Sequence, residues 1–132
     1  MAAVAANTKK NYITALKEAL MEEMSRNNDM VCIGEDIGIL GSAFGTTEGL
    51  QEKFGASRVI DAPISEAAII GTSVGMALNG KTVMIEMQFI DFISCGFDQI
   101  VNMMATYHYR TAGDANMPIV IRGPAGAYSG GA

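Results

Sequence analysis

Short unbroken apolar runs alternate along this chain with longer stretches whose apolar residues recur at helical spacing. Tyr12, Ala15, Leu16, Ala19, Leu20 and Met24 follow one another at steps that place them on one face, which predicts an amphipathic helix over 8–27. Arg26-Asn27-Asn28-Asp29 ends it, a cation followed by turn formers. Met30-Val31-Cys32-Ile33-Gly34 shows no polar alternation and suits a parallel strand covered on both faces. Further strands are predicted over 58–61, 81–86 and 118–122. Between them fall a short helix from Thr46 or Thr47 through Phe54, ended by Gly55, and two longer helices over 65–78 and 91–110. Ser65 and Asp91 are the expected caps of the longer two. The order α-β-α-β-α-β-α-β predicts an α/β fold in three layers, a mostly parallel sheet with helices on both faces.

A chain of 132 residues makes one domain at most, and with 49% apolar residues it has the means to bury a core. Its net charge of −5 gives no basic footprint for nucleic acid, and no basic amphipathic helix points to a membrane surface. Cys32 and Cys95 form no CxxC, and a single histidine builds no histidine-rich metal site. Both thiols read as small apolar filler in a reducing compartment. The opening Met1-Ala2-Ala3-Val4-Ala5-Ala6-Asn7 lacks the basic start and apolar core of a secretory signal, and Ser65, Glu66, Thr72, Ser73 and Asn79 interrupt the longest apolar stretch. The expectation is a soluble cytoplasmic protein, with an organellar matrix or plastid as the alternative.

The chemistry-bearing stretch is Arg58-Val59-Ile60-Asp61-Ala62-Pro63-Ile64-Ser65-Glu66. Pro63 fixes its own φ and keeps Ala62 out of the helical region, so the strand turns there. Glu66 then enters the first turn of an apolar helix, where backbone N–H groups favour negative charge while the apolar surroundings disfavour it. On pattern alone the plainer account is a glutamate that complements the helix dipole. A carboxyl held between those influences also suits hydrogen-bond exchange with a bound heterocycle. Glu35, Glu66 and Gln88 each lie just beyond a predicted strand end, the edge at which parallel sheets bind ligands.

Other features are weaker. Gly38, Gly41 and Gly45 do not match the dinucleotide fingerprint, and no Gly-Lys-Ser/Thr makes a phosphate loop, so the segment reads as a flexible strand-to-helix connection. Gly71 and Gly75 stand on one helix face and suggest close packing against a sheet or a partner. His108 and Arg110 near a helix C-terminus read as serving its dipole.

Taken together, Ile33-Gly34-Glu35-Asp36, the 58–66 stretch, Glu86-Met87-Gln88-Phe89-Ile90-Asp91-Phe92, Phe97-Asp98-Gln99-Ile100-Val101-Asn102 and Pro118-Ile119-Val120-Ile121-Arg122-Gly123-Pro124 resemble the β subunit of the thiamine-diphosphate-dependent decarboxylase of 2-oxoacid dehydrogenase complexes. The resemblance covers nearly everything beyond residue 12. It implies an incomplete transketolase-like pyrimidine-binding domain over 1–132, without the family's C-terminal domain or its His-Ser-Gln segment. Relatives with this domain include transketolase and deoxyxylulose-phosphate synthase, but Ala67 and Ala68 stand where those enzymes carry a histidine.

By that resemblance Glu66 is the catalytic acid, hydrogen-bonded to a ring nitrogen of the aminopyrimidine. It favours the imino tautomer that deprotonates the thiazolium carbon for attack on the keto carbon of the substrate, with loss of carbon dioxide. Phe92 packs against the pyrimidine face, although its position suits a core residue at a helix start equally well. The backbone around Ile64 meets the ring, and Glu35 is a second acid near the cofactor. Thiamine diphosphate would be shared with an α subunit that binds the magnesium ion. A second β subunit and a lipoyl acyltransferase core are the other implied partners, and pyruvate is the expected 2-oxoacid. The isolated chain is expected to be inactive. The alternatives are a non-catalytic fragment or interaction module of the same fold, and a small flavodoxin-like nucleotide binder that uses the loop at 34–45.

Overall fold

The computed structural model describes residues 9–126. Four parallel strands, β1 (Met30–Gly34), β2 (Val59–Asp61), β3 (Thr82–Glu86) and β4 (Ile119–Arg122), form one sheet in the order β2-β1-β3-β4. Helices α1 (Tyr12–Arg26), α2 (Leu50–Phe54), α3 (Glu66–Leu78) and α4 (Ala105–Arg110) connect and cover it. The α/β fold with a parallel sheet is as the apolar pattern predicts.

Side chains that alternate along the strands feed two separate cores. On one face Cys32 and Met84 pack with Leu20 and Met24 of α1 and Leu50 of α2. On the other, Ile33, Val83 and Ile85 pack with Ile69 and Ile70 of α3. All five residues of β1 are buried, which explains its unbroken apolar run. Each fully buried Ile, such as Ile70 or Ile85, contributes roughly 1.5–3 kcal/mol of transfer free energy. Burial pushes the Cys32 thiol up to about 12, so this cysteine is an inert core residue. Arg58 ties the layers together: Nη2 donates to the carbonyls of Met24 (2.8 Å) and Asn27 (2.7 Å), and Nε donates to Met30 (3.0 Å).

Several local expectations are corrected. The buried contacts of α1 come from Leu20 and Met24, whereas Tyr12 is largely exposed; the helix begins after Asn11, whose side chain accepts from the Thr14 N–H (2.7 Å). Neither Thr46 nor Thr47 caps α2, which starts after a left-handed Gly49, because both hydroxyls are drawn into tertiary bonds. Ser65 occupies the N-cap position of α3 but makes no capping bond. The continuous helix over 91–110 is instead a 3₁₀ helix (Ile90–Gly96), a π-helical stretch (Gln99–Met104) and α4, and Asp91 does not cap it. Gly71 packs on the Gln99 side chain, but Gly75 faces open space. Cys95 is exposed rather than filler. The expectations for the first seven residues and for 127–132 lie outside the described residues.

The close approach of β1 and β3 depends on Gly34. A Cβ there would lie 2.6 Å from the Glu86 carbonyl oxygen and 3.1 Å from Ile37 Cγ2. Gly34→Ala is therefore expected to lower stability by about 1–3 kcal/mol, as overpacking does. A urea-unfolding midpoint equal to the parent's would show that the strand exit yields freely.

Candidate functional site

Register aligns the carboxyl ends of the strands. Gly34 pairs with Asp61 on one side and Glu86 on the other, and Glu86 pairs with Arg122. Residues leaving these strands therefore meet along one rim, where parallel sheets place ligands.

Glu35 leaves β1 directly and is only 8% exposed. Burial pushes its carboxyl above the usual carboxylate range, and the negative charges of Glu66 and Asp36 push it the same way. Among the described residues no hydrogen bond to this carboxyl offsets these influences. Glu66 is the first residue of α3 and is half-buried. Gly96, at the end of the 3₁₀ helix, packs on its backbone: a Cβ at Gly96 would lie 3.0 Å from the Glu66 carbonyl oxygen. Beside this turn a shallow, mainly apolar depression of about 130 Å³ is lined by Ile33, Ala62, Pro63, Ser65 and Ile69.

Phe92 lies on the same 3₁₀ helix, half exposed, edge-on to Phe89 (5.8 Å between centroids, 84°). Phe89 in turn meets Phe44 of the glycine loop (6.4 Å, 88°). Ile64, 83% exposed, stands on the turn before Glu66. Gln88 donates to Asp36 (3.2 Å) and so links the exits of β1 and β3. Glu35 thus lies within reach of the Glu66 charge, and Phe92 stands on the helix that seats Glu66. Ile64 turns outward, where the described residues do not cover it. His108 lies away from these acids on α4, with Nδ1 2.7 Å from the Ala115 carbonyl oxygen.

The pattern gave no role to the most buried carboxyl on this rim. Glu86 is 4% exposed and accepts from Arg122 Nη2 (3.2 Å) and from the Thr46 hydroxyl (3.2 and 3.3 Å). Burial pushes its carboxyl above the usual range, against the pull of Arg122, Ser42 and Thr46. The available signal was a charge closing each of two apolar runs, Val83–Ile85 with Glu86 and Ile119–Ile121 with Arg122.

The loop at 36–49 is pinned rather than free-standing. Gly38 N–H donates to Asp61 Oδ1 (2.6 Å), and the Thr47 hydroxyl donates to the Ile37 carbonyl (2.8 Å). Among the described residues no group of three or more His, Cys, Asp and Glu is placed to hold a metal ion, and no helix is long and apolar enough to cross a membrane.

An aminopyrimidine ring offers nitrogen acceptors, an amino donor and two apolar faces. A half-buried carboxyl, a second, buried acid without a hydrogen-bond partner among the described residues and an open aromatic edge are complementary to those features.

The family model described as the transketolase pyrimidine-binding domain matches residues 8–132. The chain is 44% identical over 119 residues to the 2-oxoisovalerate dehydrogenase subunit beta of Pseudomonas aeruginosa, covering 90% of this chain and 34% of that protein. It is 43% identical over 118 residues to the pyruvate dehydrogenase E1 component subunit beta of Leifsonia xyli subsp. xyli (89% and 35%). Against the 2-oxoisovalerate dehydrogenase subunit beta of Bacillus subtilis it is 43% identical over 121 residues (92% and 36%). The chain therefore spans about a third of the length of these curated relatives, at near-equal identity to proteins named for two different 2-oxoacids. A parallel sheet in this order, a rim carrying Glu35 and Glu66, and these similarities lead to one conclusion: the chain belongs to the transketolase pyrimidine-binding domain family, alongside the β subunits of 2-oxoacid dehydrogenases.

Proposed function

We propose that this chain forms the pyrimidine-side half of a thiamine diphosphate site in the decarboxylase component of a 2-oxoacid dehydrogenase. The observation that carries the reading is the two acids at one rim: Glu66 opening α3, and buried Glu35, within reach of the Glu66 charge and without a hydrogen-bond partner among the described residues. When bound, the cofactor supplies the electron sink for decarboxylation, a chemistry no side chain provides. Glu66 holds a hydrogen bond, and exchanges a proton, at a pyrimidine ring nitrogen. Phe92 packs against the ring, the backbone around Ile64 borders it, and Glu35 bears on Glu66 through its charge. The exposure of Ile64 and Phe92 fits a site completed by another chain. The diphosphate and magnesium ion fall to an α-type subunit. A second β subunit and a lipoyl acyltransferase core complete the assembly, with the acyl group passed to lipoyl groups. Pyruvate is the proposed substrate.

The test uses the gene product carrying this sequence, assembled with its α-type partner, thiamine diphosphate and magnesium. Release of carbon dioxide is measured from pyruvate and from 3-methyl-2-oxobutanoate with an artificial electron acceptor. Turnover of pyruvate in preference to the branched acid supports the full proposal. Preference for the branched acid overturns the substrate assignment, and release from neither overturns the decarboxylase reading.

A further inference from the structure

We propose that the Thr46 hydroxyl, bonded to the Glu86–Arg122 ion pair, and the Ser42 hydroxyl, bonded to Thr46, fix the glycine loop so that Phe44 joins Phe89 and Phe92 in one aromatic wall of the cofactor site. Thr46 and Arg122 are then positioning residues, and Phe44 is an additional wall residue. The inference rests on the pyrimidine-site reading of Phe92 and extends it to a loop that has no assigned role.

The hydrogen bonds form a consistent circuit. Arg122 Nη2 donates to Glu86 Oε1 at 3.2 Å. The Thr46 hydroxyl has a single proton, which goes to the Glu86 carboxylate, and its lone pair accepts from the Ser42 hydroxyl at 2.7 Å. Ser42 Oγ accepts in turn from the Thr46 backbone N–H at 3.1 Å. Ser42, Thr46 and Glu86 are all buried, so each bond is shielded from competing water.

Phe44 lies midway between the two anchored residues. Ser42 holds a φ of +70°, a left-handed conformation that a side chain adopts rarely and that the circuit holds in place. With Thr46 bonded to Glu86 on β3 and Ser42 bonded back to Thr46, the 42–46 turn is closed on the sheet, and the Phe44 ring is delivered edge-on to Phe89, which meets Phe92 in the same way. Edge-to-face pairs of this kind hold ring orientation more firmly than apolar contact alone. The loop thus carries the position of a buried ion pair between β3 and β4 outward to the rim.

The test compares Thr46→Val, Thr46→Ser and Phe44→Leu in the gene product assembled with its partner. Thr46→Val keeps the shape and deletes the hydroxyl without stranding Arg122. Backbone amides 42–46, followed by hydrogen exchange without cofactor, are expected to exchange roughly ten-fold faster in Thr46→Val and at the parent rate in Thr46→Ser, the scale of one buried bond to a charged group. The KM for thiamine diphosphate is expected to rise roughly ten-fold in Thr46→Val, with kcat at saturating cofactor unchanged. Phe44→Leu should raise that KM without loosening the amides, and so stands independent of any folding defect in Thr46→Val. Parent-like exchange in Thr46→Val overturns the anchoring role. Faster exchange with an unchanged KM, or an unchanged KM in Phe44→Leu, overturns the wall assignment. Neither result bears on Glu66, whose replacement tests the cofactor reading separately.

Discussion

Glu66→Gln is expected to lower thiamine-diphosphate-dependent decarboxylation by roughly 10²–10⁴-fold in the assembled protein, the usual contribution of a positioned acid–base group. The substitution is nearly isosteric and keeps a hydrogen-bonding head, but an amide cannot hold or release the carboxyl proton. Its structural cost is small. Glu66 is half-buried and makes no ion pair among the described residues, so the loss is the interaction of one first-turn charge with the helix dipole, at most about 1 kcal/mol. Assembly and melting temperature should therefore stay close to the parent's while activity collapses. Near-normal turnover would remove the role assigned to Glu66. A cofactor-independent consequence follows from the charge pairing. The negative charge of Glu66 helps hold the Glu35 carboxyl above its ordinary range, so Glu66→Gln should lower the Glu35 titration, leaving the part due to burial. Carboxyl-carbon NMR detects this directly, and an unmoved Glu35 would mean that the two acids are not neighbours.

Arg122→Met is expected to be the most damaging substitution for stability, at about 3–5 kcal/mol near neutral pH, because it leaves a buried carboxylate without its cation. Arg122 is 17% exposed and Glu86 only 4%, so solvent does little to replace the lost partner. Burial already raises the Glu86 carboxyl above the unfolded value, and loss of Arg122 removes a lowering influence and raises it further. A carboxyl raised in the folded state contributes fully to stability below its unfolded pKa and loses that contribution as pH rises through the folded one. The deficit of Arg122→Met should accordingly be smallest near pH 4 and widen towards pH 7, as read from urea unfolding at both. A deficit that does not depend on pH would show that Glu86 is not the group left unsatisfied. Adding Glu86→Leu to Arg122→Met should restore most of the stability, since an apolar pair removes both desolvation costs together.

The α/β class, the parallel sheet, the approximate span of each strand, and the placement of Glu35, Glu66 and Gln88 beyond strand ends were legible in the order of residues. These follow from local rules. A strand covered on both faces must be apolar throughout, as Met30–Gly34 is, and proline followed by an apolar helical run fixes where β2 ends and α3 begins. The resemblance added the family, and the match over 8–132 bears it out.

The remaining features depend on neighbours far apart in sequence. The pairing of β3 with β4 sets Glu86 against Arg122, and the glycine loop then delivers Thr46, with Ser42 bonded behind it, to the same carboxylate, across 40 residues for Thr46 and 36 for Arg122. Those long-range bonds compete with local capping, which is why Thr46 does not start α2. The segment from Ile90 to Met104 shows the same competition. Its composition suits one continuous helix, yet it follows 3₁₀ and then π geometry where it packs on α3, with Gly96 against the Glu66 backbone and Gln99 over Gly71. Helical periodicity is set within a few residues, whereas the pitch that a helix keeps against a neighbour is set by the side chains it must fit, and those belong to another part of the chain.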